Sequence, residues 1–514
     1  MNGTCSAAGG GPVTPGNAPA EASQTPPPSP QPSLKRRAAS ALFWSSLQYW
    51  GGRIVGLLIF VLLARLLNPA DFGLAASAFL VMTLLNMIAE FGCSDALVQR
   101  KELRDEDINL PFFLSMAASV TMATLTFIFA PQIVELMRAP GLTPYLRAAA
   151  MICPFMTFLA FQEFLYRRAI MFRQLATRTI AGTVSGGVVG IAMALTGWGT
   201  WSLIAQYACQ TLVGVVWLWR KPLWKPSLTF HPRSALEIAS FGSKILGVFV
   251  IDFTTQKSVD LIILRKFGIA ALGLFTVSTR LYMLLLQMLQ TSINNVGLTM
   301  LSTISHDMDR MRRLYIRTTS VCATLGTPVF VGLAVLAPEV NQIMFGSKWL
   351  GAEKVMMPLL LIGGVHCTQF VNTPYLTVTG NPRTLLHLSI FRSFLVLPPL
   401  YLIPSPSVSS TASLYALCLL AVTPFDFLAA FRALSIRIAD IARPIGMPIT
   451  ASIAAFLGTH YARSALPALP ANPFLSAIVL GSLFALAYMA VLASLGRDVL
   501  RENFLFVRGF LKKA

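Results

Sequence analysis

The feature that most constrains this chain is a succession of apolar stretches of about 20 residues or more, separated by short polar loops. A helix of that length and apolarity matches the hydrocarbon thickness of a bilayer, and no water-soluble core accommodates so many of them. Fourteen candidate spans run over 42–66, 72–98, 109–136, 144–166, 175–196, 199–219, 238–264, 270–299, 314–337, 355–378, 384–403, 411–432, 445–464 and 473–495. The expected fold class is an all-α polytopic membrane protein. Only 12% of the 514 residues are charged, about half the share typical of soluble domains. That excludes a soluble multidomain enzyme and a disordered protein.

Residues 1–40 are different material. The stretch Gln24–Pro32, with five prolines in nine residues, can neither continue a helix nor bury a core. It is expected to be a disordered tail. It is no signal peptide, because the first apolar segment begins only near Ala41 and is too long for one.

The net charge of +19 would suggest nucleic acid as partner in a soluble protein. Here its distribution supplies another cause. With the N-terminus placed in the cytoplasm, the cytoplasmic segments carry 27 Lys and Arg, the opposite loops carry 8, and 5 remain within spans, which accounts for all 40. Basic loops resist translocation, so this bias supports the span count, cytoplasmic termini and no nucleic-acid partner. The longest external loop, around Ala337–Lys354, leaves no room for a soluble catalytic domain. Function must reside among the helices.

An internal repeat organises them. Leu58–Leu74 (LIFVLLARLLNPADFGL) and Ser258–Leu274 (SVDLIILRKFGIAALGL) align at an offset of 200 residues, matching Arg65 with Arg265, Ala70 with Ala270, Gly73 with Gly273 and Leu74 with Leu274. Both segments close an odd-numbered span and open the next. Six spans separate them, so the copies share one orientation, as in transporters built from parallel repeats with a substrate path between halves. The expected units are a six-helix lobe over 41–233, a second over 234–440, accessory helices 13 and 14 within 441–496, and a basic tail over 497–514.

Ionisable groups at membrane depth cost several kcal/mol unless paired or hydrated. In the second span Thr83, Asn86, Glu90 and Ser94 share one helix face; in the eighth, Arg280, Gln287, Thr291 and Asn294 do; in the seventh, Asp252, Gln256 and Asp260 do. Arg53 lies near the centre of the first span. These stripes point to a hydrated cavity, with Arg53, Glu90, Asp252, Lys257, Asp260, Arg280 and Arg392 as candidate substrate-path residues. Lys257 and Asp260, three apart, can instead neutralise each other, and Ser, Thr, Asn and Gln also serve as helix–helix glue. A cavity rich in Arg suits an anionic ligand such as a pyrophosphate, because guanidinium forms forked bonds to phosphate. Sugars would need amides, hydroxyls and aromatic faces.

Catalytic and metal motifs are missing. There is no H-E-x-x-H, P-loop or G-x-S-x-G motif, and the seven cysteines form no C-x-x-C pair. They are expected to be small buried hydrophobes. Gly182, Gly186 and Gly190, four apart, signal close helix packing. No cofactor or metal is expected, and transport would draw on an ion gradient, the membrane potential or the substrate gradient.

The segments Phe43–Leu74, Leu165–Leu203 and Phe241–Ile304, and the Phe345-Gly346-Ser347-Lys348-Trp349 loop, resemble the polysaccharide transporter family, the Wzx-type flippases of the MATE/flippase superfamily. The resemblance covers about residues 40–440. It implies two six-helix lobes around a cationic cavity plus accessory helices 13 and 14, and no enzymatic activity. It also implies a bacterial inner-membrane flippase moving undecaprenyl-pyrophosphate-linked oligosaccharide units to the periplasmic leaflet by alternating access, for lipopolysaccharide, capsule or exopolysaccharide synthesis. The implied partners are that lipid-linked substrate and membrane lipids, with a polymerase and a chain-length regulator of the same pathway as candidates. Arg53, Lys257 and Arg280 are the best candidates for cationic lining. The Pro-rich tail is not part of the family pattern. The alternative is a MATE-like exporter of small organic cations, which Asp252 and Asp260 keep open. A polymerase or ligase would need a large external catalytic loop, and a scaffold would not need charges at mid-membrane.

Overall fold

The computed structural model describes residues 50–90, 104–229, 250–251, 253–303, 307–378, 382–465, 470 and 472–511. The Pro-rich segment, Ser94 and Asp252 lie outside the described residues. Helix accounts for the regular structure, with no strand among the described residues. This is what a bilayer demands of a chain that is not a closed barrel, since each backbone polar group must be satisfied within its own segment.

The first group of helices comprises α1 (Gly52–Leu66), α2 (Pro69–Glu90), α3 (Asp105–Ile128), the short α4 (Ala130–Met137), α5 (Thr143–Arg168), α6 (Phe172–Leu195) and α7 (Thr200–Trp219). The second comprises α8 (253–267), α9 (Ile269–Thr303), α10 (Met308–Val335), the short α11 (Ala337–Met344), α12 (Ala352–Gln369), α13 (Asn372–Val378), α14 (Pro382–Leu402) and α15 (Val408–Leu434). Then follow α16 (Ile438–Ala465), α17 (Pro473–Leu495) and α18 (Arg497–Leu511). Eleven helices among the described residues are long and apolar enough to cross a membrane. The other three expected spans fall on α1, α8 and α14, whose described or apolar stretches are shorter.

Packing within the first group rests on small residues. A Cβ on Gly186 would lie 2.5 Å from the carbonyl oxygen of Gln206, so α6 and α7 approach backbone to backbone. Glu163, an acid within the expected fourth span, is neutralised by Arg178 at 2.6 Å and Arg167 at 2.7 Å. Outward-facing leucines such as Leu58 and Leu62 are exposed, as expected of surfaces that meet lipid. Proline interrupts several helices (Pro111, Pro154, Pro328, Pro424), which neighbouring helices tolerate in membranes.

Residues 497–511, expected as a basic tail, form a helix instead. Its periodicity explains the difference: Val499 and Asn503, four apart, are buried on one face while Phe504 and Leu505 stay exposed. Asn503 donates to Ser320 Oγ at 2.9 Å and Thr324 Oγ1 at 2.8 Å, which fixes α18 to α10.

Candidate functional site at the junction of the two helix groups

The two groups meet at the paired segments of the internal repeat. α2 packs along α9, and a Cβ on Gly73 would lie 1.9 Å from Ile269 O while one on Gly273 would lie 1.8 Å from Pro69 O. Pro69 and Ile269 stand at the same 200-residue offset as the glycines, so each copy presents its glycine to the other copy's helix start. Only residues without a Cβ permit that approach.

The same end carries a reciprocal arginine clasp. Arg65 donates from Nε to Met344 O at 3.1 Å and from Nη2 to Ile343 O, both at the C-terminus of α11. Arg265 donates from Nη2 to Leu136 O at 2.8 Å, at the C-terminus of α4. Each repeat's arginine thus reaches the short helix of the other group, where the last carbonyls lack intrahelical partners and the helix dipole favours a cation. The Phe345–Trp349 loop adds a third tie. Trp349 is fully buried and donates from Nε1 to Ala64 O at 2.8 Å, and Lys348 reaches Leu66 O at 3.0 Å, so the loop caps the C-terminus of α1. Phe345 and Trp349 set their rings edge-on to Phe60 and Phe72.

Arg280 lies about 16 Å along α9 from Ile269, near the middle of a bilayer-spanning length. Its guanidinium carbon stands 4.8 Å from the centroid of the Phe60 ring, across the junction. A cation is favoured over an aromatic face. The side chain is exposed, and no carboxylate lies within ion-pair distance of it among the described residues.

The other candidates are placed differently. Lys257 pairs with Asp260 at 2.9 Å, the internal neutralisation that their spacing allows. Arg392 pairs with Asp426 at 3.1 Å. Burial supplies the reason: Asp426 has a side chain only 8% exposed and demands a counter-charge. Glu90 ends α2, about 31 Å from Pro69 and far from Arg280 in depth, and accepts from Asn86 Nδ2 at 2.9 Å. Arg53 is half-buried near the start of α1. Cys153, Cys367 and Cys418 are buried and free, and no metal-binding cluster occurs among the described residues.

A second feature involves Gln256 of the seventh-span stripe and the candidate Arg392. A cavity of about 390 Å³ opens within the second group, with Gln256, Gln290, His366, Gln369, Arg392 and Asp426 among its lining residues. The tenth span is interrupted beside it: α12 stops at Gln369, Phe370 and Val371 form a turn, and α13 begins at Asn372. The signal for it in the sequence is His366-Cys-Thr-Gln-Phe-Val-Asn-Thr-Pro374, polar at half its positions inside an apolar span and ending on proline. The short helices carry a further trace of the repeat: Ala-Pro-Gln-Ile-Val-Glu-Leu-Met (130–137) and Ala-Pro-Glu-Val-Asn-Gln-Ile-Met (337–344) share their first two residues and their last.

Residues 62–354, more than half of the chain, match the family model described as polysaccharide biosynthesis protein. The chain belongs to this family. Among curated polysaccharide biosynthesis relatives it is 28% identical to the succinoglycan biosynthesis transport protein ExoT of Rhizobium meliloti (strain 1021) over 352 residues, 68% of this chain and 71% of that one. It is 20% identical to the lipopolysaccharide biosynthesis protein WzxC of Escherichia coli (strain K12), over 71% of this chain and 75% of the relative. Solved structures confirm the fold. The lipid II flippase MurJ, in an inward closed conformation, superposes with a TM-score of 0.69 at 15% identity, covering 90% of this chain and 99% of its own. An inward-facing multidrug-resistance MATE transporter superposes with a TM-score of 0.58 at 15% identity, covering 75% and 94%. This member of the polysaccharide biosynthesis family is therefore a multi-pass bacterial membrane transporter with a MATE-like fold, not an enzyme.

Proposed function

We propose that this chain carries undecaprenyl-pyrophosphate-linked oligosaccharide units from the cytoplasmic to the periplasmic leaflet of a bacterial inner membrane, by alternating access between its two helix groups. The observation that carries the reading is Arg280. It is a mid-membrane guanidinium at the junction, held over Phe60 with no carboxylate partner among the described residues. Such a group costs too much to keep as packing alone and suits the forked oxygens of a pyrophosphate. In this reading the end bearing Arg65, Arg265 and Trp349 faces the periplasm, both termini face the cytoplasm, and the clasp is the closed periplasmic gate. The clasp is built from a few hydrogen bonds, so it can open without unfolding either group. A polymerase and a chain-length regulator would take the delivered unit.

A MATE-like exporter of organic cations has less support, because such a site needs a carboxylate free to meet its cargo. Among the described residues, Asp260 and Asp426 already hold Lys257 and Arg392, while Asp252 lies outside them.

The test is leaflet accessibility of lipid-linked oligosaccharide in cells depleted of the protein. Build-up on the cytoplasmic face, relieved by wild type and not by Arg280→Ala, is expected. Unchanged delivery to the periplasmic face in cells lacking any redundant transporter would refute the flippase reading. Full rescue by Arg280→Ala would keep the flippase and discard the arginine.

A further inference from the structure

The cavity inside the second group has a chemistry unlike that of the junction. Gln256 and Gln290 are exposed into it and have no hydrogen-bond partner among the described residues. Its far wall is hydrogen-bonded to neighbouring helices. Gln369 is oriented by its Nε2 donating to Thr423 Oγ1 at 2.7 Å. Asn372 accepts from Tyr315 Oη at 2.7 Å and donates to Asp426 O at 3.3 Å. Arg392 spends one nitrogen, Nη2, on Asp426, which leaves its other donors for a ligand.

Four amides and a guanidinium, with the positive charge already offset, do not attract a bare anion strongly. Nor do they suit an isoprenoid tail, which would leave those amides unsatisfied in an apolar contact. They match a ligand with many hydroxyls, for which planar amides and guanidinium offer paired donors and acceptors, with Phe370 also in the lining. The volume lies within the ordinary range of small-ligand pockets, about 300–1,000 Å³. The break between α12 and α13 supports a ligand site too, because irregular backbone at membrane depth persists where it lines a cavity.

We infer that this cavity is a glycan subsite: it receives a sugar of the lipid-linked unit while Arg280 holds the pyrophosphate. The inference rests on the flippase reading, and it makes the second helix group the part that recognises which glycan is attached. Binding is measured by thermophoresis on the full-length protein in detergent, with two probes. One is undecaprenyl pyrophosphate without sugar. The other is the same lipid carrying the oligosaccharide extracted from producing cells depleted of this protein. Wild type binds the glycan-bearing lipid roughly tenfold more tightly than the bare lipid, as two or three added neutral hydrogen bonds provide. The double variant Gln256→Leu, Gln290→Leu loses that advantage and still binds the bare lipid, which also shows that it is folded. Oligosaccharide released from its lipid competes on wild type and not on the variant, which separates the sugar from its carrier. An advantage retained in the variant, or an equal loss for both probes, overturns the subsite. Failure of wild type to bind either probe overturns the flippase reading, and the subsite falls with it.

Discussion

The fifth and sixth spans of the first helix group and their counterparts in the second make contact by opposite means. In the first group α6 meets α7 through glycines, and Gly182, Gly186 and Gly190 each bring the α7 backbone close enough for a Cβ to meet carbonyl oxygen at 2.5–3.2 Å. In the second group α14 meets α15 through Arg392 and Asp426, and Phe391 packs on Phe425 at a centroid distance of 4.7 Å. The glycine contact leaves no space between the helices. The ion pair and the large side chains fill the contact between α14 and α15, which lies beside a polar cavity. The repeat has thus kept its symmetry at the end bearing the arginine clasp, in Gly73 with Gly273 and Arg65 with Arg265. It has lost that symmetry deeper in, where one half is a solid support and the other offers polar groups. An alternating-access transporter needs matching surfaces where its halves must close, and nothing requires its halves to share the cargo equally.

The comparison can be broken first at the symmetric end. Gly73→Val or Gly273→Val places a Cβ within 2 Å of a carbonyl oxygen on the facing helix, an overpacking that costs about 1–3 kcal/mol or more. Loss of polymer export with normal membrane insertion is expected for either. The two should be equivalent, and a large difference between them would break the symmetry. Next in size is Arg280→Ala, which removes charge-assisted bonds of about 1.5–3 kcal/mol and should lower transport roughly 10–100-fold. Arg280→Lys, which keeps the charge and loses the fork, should fall between.

The asymmetry is sharpened by smaller changes. Gly186→Ala should lower thermal stability in detergent by about 1–3 kcal/mol, because its Cβ meets Gln206 O. Ser389→Ala, on the corresponding helix of the second group and facing the cavity, should change stability by less than about 0.5 kcal/mol. Equal losses would mean that the cavity is as tightly packed as the glycine contact. A modest effect is expected from Arg65→Ala alone, about 1 kcal/mol for its exposed bonds to the α11 carbonyls, because Lys348 and Trp349 still tie the following loop to Leu66 O and Ala64 O of α1. Trapping of the open state, read by cysteine cross-linking across the junction, should need Arg65→Ala together with Arg265→Ala.

Much of this architecture is legible in the residues. Spans, loops and the 200-residue repeat follow from hydropathy and spacing, because a bilayer permits so few backbone solutions. The glycine spacing in α6 announces close packing for the same reason. Pairing is harder to see. Lys257 and Asp260 are neighbours on one helix, so their bridge can be anticipated; Arg392 and Asp426 are 34 residues apart, and only tertiary packing brings them together. The clasp is illegible for a related cause: Arg65 and Arg265 bond to backbone carbonyls, which carry no side-chain signature. The cavity lies beside the break at Phe370–Val371, which is not a periodic feature. α18 reads as a tail because its charges hide a two-residue buried face.

The most direct test of the central claim is transfer of lipid-linked oligosaccharide in reconstituted proteoliposomes, with the lipid loaded in one leaflet and its appearance in the other followed by an impermeant glycan-modifying probe. Wild type should transfer it well above protein-free vesicles, and Arg280→Ala should reduce the rate roughly 10–100-fold while the protein remains monodisperse. Transfer no faster than in protein-free vesicles, or an Arg280→Ala rate equal to wild type, would contradict a flippase that grips its cargo's pyrophosphate at this junction.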